Sequence, residues 1–105
     1  MQNYQDFLAE ILVDEKSLQA RLKELGAEIS LDYADSNGGL LLICILRGGV
    51  PFLVDLMRHI TIPHMLDFMA ISSYGKGARE STGNVRLTMD LQTNIHNKHV
   101  LLVED

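Results

Sequence analysis

Apolar residues recur with a helical period in the first third of the chain. Four of them fall on one face at spacings of four, three and four residues: Leu18, Leu22, Leu25 and Ile29. This pattern predicts a helix that starts just after Asp14, the expected N-cap, and packs in the core through its leucine stripe. Gly26 lies inside the pattern and is a weak point, because glycine is a poor helix former.

Continuous apolar runs predict strands that are covered on both faces. The run Leu40–Leu46 follows the turn-forming segment SNGG and ends in Arg47, Gly48 and Gly49, after which a second helix opens near Pro51. Residues 66–71 predict the next strand, and Val100–Val103 predict a final strand buried on both faces. Strands joined by helices predict an α/β fold with a mainly parallel central sheet.

A different pattern lies between the predicted strand at residues 66–71 and the final strand at Val100–Val103. Residues 72–84 (SSYGKGARESTGN) contain three glycines and no apolar period, and a loop of this length is typical of a functional lid or of disorder. Apolar and polar residues then alternate from Val85 to Gln92, which predicts a strand with one wet face. The long loop is therefore expected at the tip of a hairpin.

Composition narrows the function classes. A chain of 105 residues with a net charge of −5 and no basic cluster fits one globular domain and argues against nucleic-acid binding. We see no secretory signal and no apolar run near the roughly 20 residues that span a bilayer, so we expect no membrane association and a cytoplasmic location. Cys44, the single cysteine, is interpreted as a small buried apolar residue.

Three segments with candidate chemistry fall at the carboxyl ends of predicted strands, where open α/β sheets bind ligands. Arg47–Gly49 could hold a phosphate through backbone N–H groups and a cation, or could be an ordinary turn. Ser72, Ser73, Tyr74 and Gly75 could close over a ligand, or could be an exposed hairpin tip. Glu104 and Asp105 could bind sugar hydroxyls or Mg²⁺, or could simply be solvated.

Four segments in order resemble the N-terminal half of the hypoxanthine-guanine phosphoribosyltransferases. They are the leucine-striped helix after ILVDE, then LLICILRGGVPF, LDFMAISSYG and VLLVED, and together they cover the chain from about Ile11 to Asp105. The lid segment Ser72–Gly75 favours this purine branch over the adenine and orotate transferases. The resemblance implies a partial type I phosphoribosyltransferase fold with an antiparallel hairpin lid.

The resemblance also implies an activity and the residues that serve it. The family moves ribose 5-phosphate from phosphoribosyl pyrophosphate to a 6-oxopurine, with Mg²⁺, and forms dimers and tetramers. By similarity, Leu46, Arg47, Gly48 and Gly49 bind pyrophosphate through a loop with a cis peptide at Leu46–Arg47. Glu104 and Asp105 hold the ribose hydroxyls and Mg²⁺. The family often has lysine where this chain has Arg47. Arginine keeps the positive charge, but its guanidinium group is a planar fork of donors and not a point charge.

One departure from the family concerns the catalytic residues. The family continues past the acidic pair into a 5′-phosphate loop with its catalytic aspartate and into the residues that recognise the purine. Residues 1–105 are therefore expected to be the N-terminal portion of a single domain, truncated after the fourth recognisable strand and inactive alone. The alternatives are a non-catalytic phosphoribosyl-pyrophosphate-binding or regulatory module, and a truncated or rearranged chain that self-associates.

Overall fold

The structure, a computed structural model, describes residues 6–73 and 85–105. Within them lie two helices and four strands in the order α1 (Glu15–Asp32), β1 (Leu40–Ile45), α2 (Val50–Met57), β2 (His64–Ser73), β3 (Val85–Met89) and β4 (His99–Val103). The strand order is β3-β2-β1-β4, with β1 parallel to both neighbours and β2 antiparallel to β3. The predicted α/β class, the parallel centre and the hairpin are confirmed.

α1 begins where the sequence predicts. The Asp14 carboxylate accepts a hydrogen bond from the Ser17 backbone N–H at 2.7 Å, and this bond lowers the pKa of Asp14 below its ordinary value. Leu22 and Ile29 are buried, but Leu18 is 48% exposed, so the predicted stripe is wrong at its first leucine. The reason is that all residues of α1 before Leu22 are exposed, which means the helix begins before it meets the core.

Gly26 is a close-packing position rather than a weak point. It is buried, and a Cβ added there would lie 2.6 Å from the carbonyl oxygen and 2.7 Å from the carbonyl carbon of His59. Ser30, one turn later, donates its hydroxyl to the Gly26 carbonyl at 2.7 Å and accepts the Thr61 N–H at 2.9 Å. These two contacts fix α1 against the connection between α2 and β2.

We therefore expect Gly26→Ala to destabilise the fold. The added methyl group meets backbone atoms, which cannot rotate away, so the free energy of unfolding should fall by about 1–3 kcal/mol. Helix propensity alone would act in the opposite direction, by up to about 1 kcal/mol. Urea unfolding of the variant measures the effect, and Ala20→Gly on the exposed part of α1 calibrates propensity. Equal or greater stability of Gly26→Ala would refute the close approach.

The core lies between the two helices and one face of the sheet. Leu40, Leu42 and Cys44 of β1 are completely buried and form one cluster with Leu53 and Leu56 of α2. Burial raises the pKa of the Cys44 thiol, and the nearby Asp105 carboxylate adds to this effect. The interpretation of Cys44 as a small buried apolar residue is confirmed.

The sequence predicted too much burial for the outer strands. Val103 is buried, but Leu102 is 65% exposed, so the prediction that Val100–Val103 is covered on both faces is wrong. Among the described residues β4 pairs only with β1, and its second edge is open. On β3, the expected dry face made by Val85, Leu87 and Met89 is also exposed, because no element in the described part of the chain packs over it.

The hairpin contains an irregularity that the sequence did not indicate. Ala70 pairs with Met89 and Ile71 pairs with Leu87, which leaves Thr88 as an extra residue on β3. The Thr88 hydroxyl donates a hydrogen bond to the Ala70 carbonyl at 3.1 Å. This is a β-bulge, with a side chain supplying a bond across the irregular position.

Asp67 is a buried acid that the sequence analysis did not single out. It is 5% exposed, and its carboxylate accepts the Phe68 N–H at 2.7 Å on one oxygen and the N–H groups of Gln92 (2.9 Å) and Thr93 (2.7 Å) on the other. The pKa of Asp67 is lowered, and the largest cause is the hydrogen bond from the Phe68 N–H. Burial raises this pKa, and the hydrogen bonds from Thr93 and Gln92 lower it further. Asp67 thus ties β2 to the turn between β3 and β4.

We expect Asp67→Asn to destabilise the protein at neutral pH and to lose this effect in acid. Asparagine has one carboxamide oxygen for three N–H donors, so at least one donor loses its partner. The Asp67 pKa is lower in the folded chain than in the unfolded one. Between those two values, below about pH 4, the unfolded chain binds more protons and acid favours unfolding.

Urea midpoints at neutral pH and across this acidic range test the expectation. The difference between the parent and Asp67→Asn should be largest above about pH 4 and shrink as the pH falls through the folded pKa. Asp90→Asn is the matched control, because Asp90 is exposed and, among residues 6–73 and 85–105, its carboxylate bonds only the N–H of the next residue. A difference that is constant with pH would mean that the Asp67 charge does not stabilise the fold.

Neither helix in the part of the chain that the structure describes is long and apolar enough to cross a membrane.

Candidate functional site

The site is set by the parallel register of the two central strands. Cys44 of β1 lies opposite Val103 of β4, so both strands end at the same edge of the sheet. The turn 46–49 that follows β1 and the acids that follow β4 therefore emerge side by side. The structure brings together these two predicted segments, which are about 55 residues apart in sequence.

The turn 46–49, hereafter the loop, is anchored at both ends. The Leu46 N–H donates to the Met69 carbonyl at 2.9 Å, which ties the loop to β2, and the Leu53 N–H donates to the Gly49 carbonyl at 2.9 Å, which starts α2. The Leu46–Arg47 peptide bond is cis, as the resemblance predicted. The loop thus enters the site from β1 and leaves it at the amino end of a helix.

Backbone donors of the loop point to an anion site. Within the described residues, the N–H groups of Arg47, Gly48 and Gly49 donate to no protein acceptor, and Arg47 forms no ion pair. Arg47 and Gly48 are exposed. Free N–H groups beside a helix N-terminus, next to an exposed guanidinium, are suited to phosphate oxygens.

Gly48 lies directly against the Asp105 carboxylate. A Cβ on Gly48 would overlap Oδ2 of Asp105, with the carboxyl carbon at 2.7 Å and Oδ1 at 3.2 Å. The backbone of Gly48 is not in the left-handed region, so glycine here is explained by the close approach of the acid and not by an unusual φ. The absence of a side chain lets the acid reach the loop.

Gly49 has a different role. It is buried, and a Cβ there would lie 3.0 Å from the Val103 carbonyl oxygen and 3.2 Å from both the Cys44 sulfur and the Ile45 carbonyl oxygen. Gly49 therefore seats the loop on the ends of β1 and β4. Gly49 lets the loop pack on the sheet, and Gly48 leaves room for the Asp105 carboxylate.

Glu104 and Asp105 supply oxygen ligands at this edge. Both are exposed, and no group of three or more His, Cys, Asp or Glu residues suited to a metal occurs in residues 6–73 and 85–105. Two adjacent carboxylates without further protein ligands fit Mg²⁺, which is often bound through one or two carboxylates, waters and substrate phosphates. The donor set is therefore compatible with the predicted ion.

The predicted lid is only partly described. Ser72 and Ser73 belong to β2, opposite Arg86 and Val85 of β3, so strand pairing continues two residues beyond the predicted strand end at Ile71. Tyr74 and Gly75 lie outside the described residues. The role of Ser72–Gly75 in closure stays a prediction.

Comparison with known proteins gives a consistent family. A model of the phosphoribosyl transferase domain matches residues 9–105. The hypoxanthine phosphoribosyltransferase of Buchnera aphidicola is 47% identical over 95 residues, which are 90% of this chain and 53% of that protein. The hypoxanthine-guanine phosphoribosyltransferase of Streptococcus thermophilus is 40% identical over 98 residues, 93% of this chain and 53% of that protein.

Solved structures agree with the sequence relatives. The crystal structure of a hypoxanthine phosphoribosyltransferase from Staphylococcus aureus superposes with a TM-score of 0.81 at 40% identity, covering 93% of this chain and 52% of that one. The chain spans about half the length of the relatives it matches. Because the matched region includes the loop, both central strands and the acidic pair, the chain belongs to the phosphoribosyltransferase family.

Proposed function

We propose that this chain supplies the pyrophosphate, ribose and metal side of a purine salvage enzyme. The reaction transfers 5-phosphoribosyl from phosphoribosyl pyrophosphate to hypoxanthine or guanine and gives IMP or GMP and pyrophosphate. The single observation that carries the proposal is the contact of the Asp105 carboxylate with Gly48, which joins an anion-binding loop to an acidic pair. The names of the relatives support the choice of a 6-oxopurine as acceptor.

The two sides of the site suit the two charges that develop in this reaction. As the bond from the ribosyl carbon to pyrophosphate breaks, the sugar gains oxocarbenium character and the leaving group gains negative charge. The carboxylates of Glu104 and Asp105 orient the ribose hydroxyls and stabilise the positive sugar. Arg47 and the N–H groups of Gly48 and Gly49 hold the departing anion.

Mg²⁺ would be held by Glu104 and Asp105 and would neutralise charge on the leaving pyrophosphate. The lid, Ser72–Gly75, would close over the sugar and exclude water, which favours transfer to the base over hydrolysis. The catalytic residues are unknown in this sequence, because the segment that carries them in the family has no match in it. A cytoplasmic location also belongs to this proposal.

A chimera tests the proposal. In it, this chain replaces the matching 52% of the S. aureus hypoxanthine phosphoribosyltransferase. We expect the chimera to form IMP from Mg²⁺, phosphoribosyl pyrophosphate and hypoxanthine, and residues 1–105 alone to form none. A folded chimera without transfer or phosphoribosyl-pyrophosphate binding would contradict the proposal, as would nucleotide formation by residues 1–105 alone.

The alternative, a non-catalytic module, predicts binding of the ligand without transfer of the sugar. Calorimetry on residues 1–105 would then show Mg²⁺-dependent binding of phosphoribosyl pyrophosphate, while the folded chimera would bind it without transferring the sugar. A catalytic half instead predicts transfer in the chimera. The two readouts together separate the hypotheses.

Self-association, to a dimer or tetramer, is the remaining part of the proposal. It is supported by the exposure of large apolar side chains on two surfaces, the β2–β3 hairpin with Ile71, Leu87 and Met89, and the segment Phe7–Val13. Analytical ultracentrifugation of residues 1–105 and of the chimera measures it. A strictly monomeric, well-folded species in both samples would count against it.

A further inference from the structure

A cleft in the described part of the chain lies away from the site. It has a volume of about 490 Å³ and is formed between α1 and the connection from α2 to β2. α2 begins at the loop and this connection follows its other end, so the cleft opens at the opposite edge of the sheet from Glu104 and Asp105. Its residues take no part in the proposed transfer.

The cleft is an open groove with the volume of a small-molecule site and a partly apolar lining. Its volume falls within the roughly 300–1,000 Å³ of ordinary ligand pockets, which are largely apolar with a few polar groups. The apolar part of the wall is made by Ala27, Leu31, Ala34 and Ile62. A planar or aliphatic body of moderate size would be in contact with these side chains.

The charged residues of the cleft all have the same sign. Lys23 of α1 and Arg58, which follows α2, line it together with His59, and none of the lining residues in the described part of the chain is acidic. This is unusual in a chain with 14 acidic residues against 9 lysines and arginines. Among the described residues neither Lys23 nor Arg58 is in an ion pair, so both cations are available to an anion.

The walls of the cleft are fixed relative to each other. Ser30 bridges the Gly26 carbonyl and the Thr61 N–H, and Gly26 lies in direct contact with the backbone of His59. Both contacts join α1 to the connection that forms the other wall. A ligand would therefore bind a preformed cleft and would not have to order it, which reduces the cost of binding.

We propose that this cleft is a second binding site, for a small organic anion whose phosphate or carboxylate lies between Lys23 and Arg58 and whose apolar body lies on Ala27, Leu31 and Ile62. The anion makes charge-assisted hydrogen bonds to the two cations. The apolar body is removed from water by the wall of α1. The proposal rests on this cleft alone and is independent of the proposed function.

Titration of the 105-residue chain with 1-naphthyl phosphate, followed by ¹H–¹⁵N correlation spectra, tests it. We expect saturable shifts at Ala27, Thr61 and Ile62. 1-Naphthoate should shift the same amides, and neutral 1-naphthol should bind about tenfold more weakly or worse, because it lacks the anion. Shifts confined to residues 46–49, or equal binding of naphthol, would overturn the proposal.

Charge variants supply the matched comparison. Lys23→Gln with Arg58→Gln should weaken binding about tenfold or more, whereas Lys16→Gln with Arg21→Gln removes the same charge from α1 outside the cleft and should leave affinity within about twofold. Arg47→Gln should not change the shifts in the cleft. Equal losses in the two double variants would indicate diffuse attraction and would refute a built site, while the spectra report whether each variant is folded.

Discussion

Replacing both acids of the site, Glu104→Gln with Asp105→Asn, is expected to lower the rate of IMP formation by the chimera by about 100-fold or more. The amides keep the size of the side chains but remove both negative charges. They therefore no longer stabilise the positive sugar, and they bind Mg²⁺ poorly. Both residues are exposed at the end of β4, so the fold should tolerate the change.

The controls for this variant separate chemistry from stability. Thermal unfolding should be nearly unchanged, since exposed substitutions usually alter stability by less than about 0.5 kcal/mol. Glu28→Gln with Asp32→Asn removes the same charge from α1, and it should leave the rate close to that of the chimera. Full activity of the Glu104→Gln, Asp105→Asn variant would exclude both residues from the reaction.

Gly48→Ala should damage binding without damaging the fold. The new methyl group would occupy the position of the Asp105 carboxylate, which must then move away from the loop. Because the atoms displaced are the far end of a flexible side chain, the cost to stability should be within about 0.5 kcal/mol. We expect the KM for phosphoribosyl pyrophosphate in the chimera to rise about tenfold or more, as displacements near 1 Å in a site can cost up to about 100-fold.

A double-mutant cycle identifies the cause. With Asp105→Ala already present, Gly48→Ala has room for its methyl group and should cause little further loss. Gly38→Ala is the contrasting glycine control. Gly38 has a φ of +80° and open space around it, so alanine there should cost about 1–2 kcal/mol of stability and leave KM unchanged. Additive losses in the cycle would show that Gly48 acts independently of Asp105.

Local signals in the sequence were sufficient for the elements that depend on local chemistry. Asp14 caps α1 because a carboxylate can bond the N–H three residues later, and Pro51 marks the start of α2 because proline fits the first turn of a helix. The unbroken apolar run of β1 predicted its central position. Leu18, Leu102 and the apolar face of β3 were misjudged because an apolar side chain signals burial only when another element covers it, and the sequence pattern does not specify the cover.

The site was predictable in its components and not in its contacts. The loop and the acidic pair each follow a strand, and the rule for carboxyl ends of parallel strands places both at one edge. The contact between Gly48 and Asp105 depends on the register of β1 with β4, which no short segment encodes. Gly26 and Asp67 were misread or missed for the same reason, since their partners, His59 and the turn at Gln92 and Thr93, are more than 20 residues away.

The two margins of the sheet differ in their capacity to accept a further strand. β3 carries the bulge at Thr88 and the charged Arg86, features that discourage edge-to-edge pairing in natural sheets. β4 has a regular register with β1, and its other edge is unpaired among the described residues, while Leu102 is exposed on one face of the strand. Of the two edges, the β4 edge is therefore the better suited to pair with a further strand, which would lie beside the acids that follow β4.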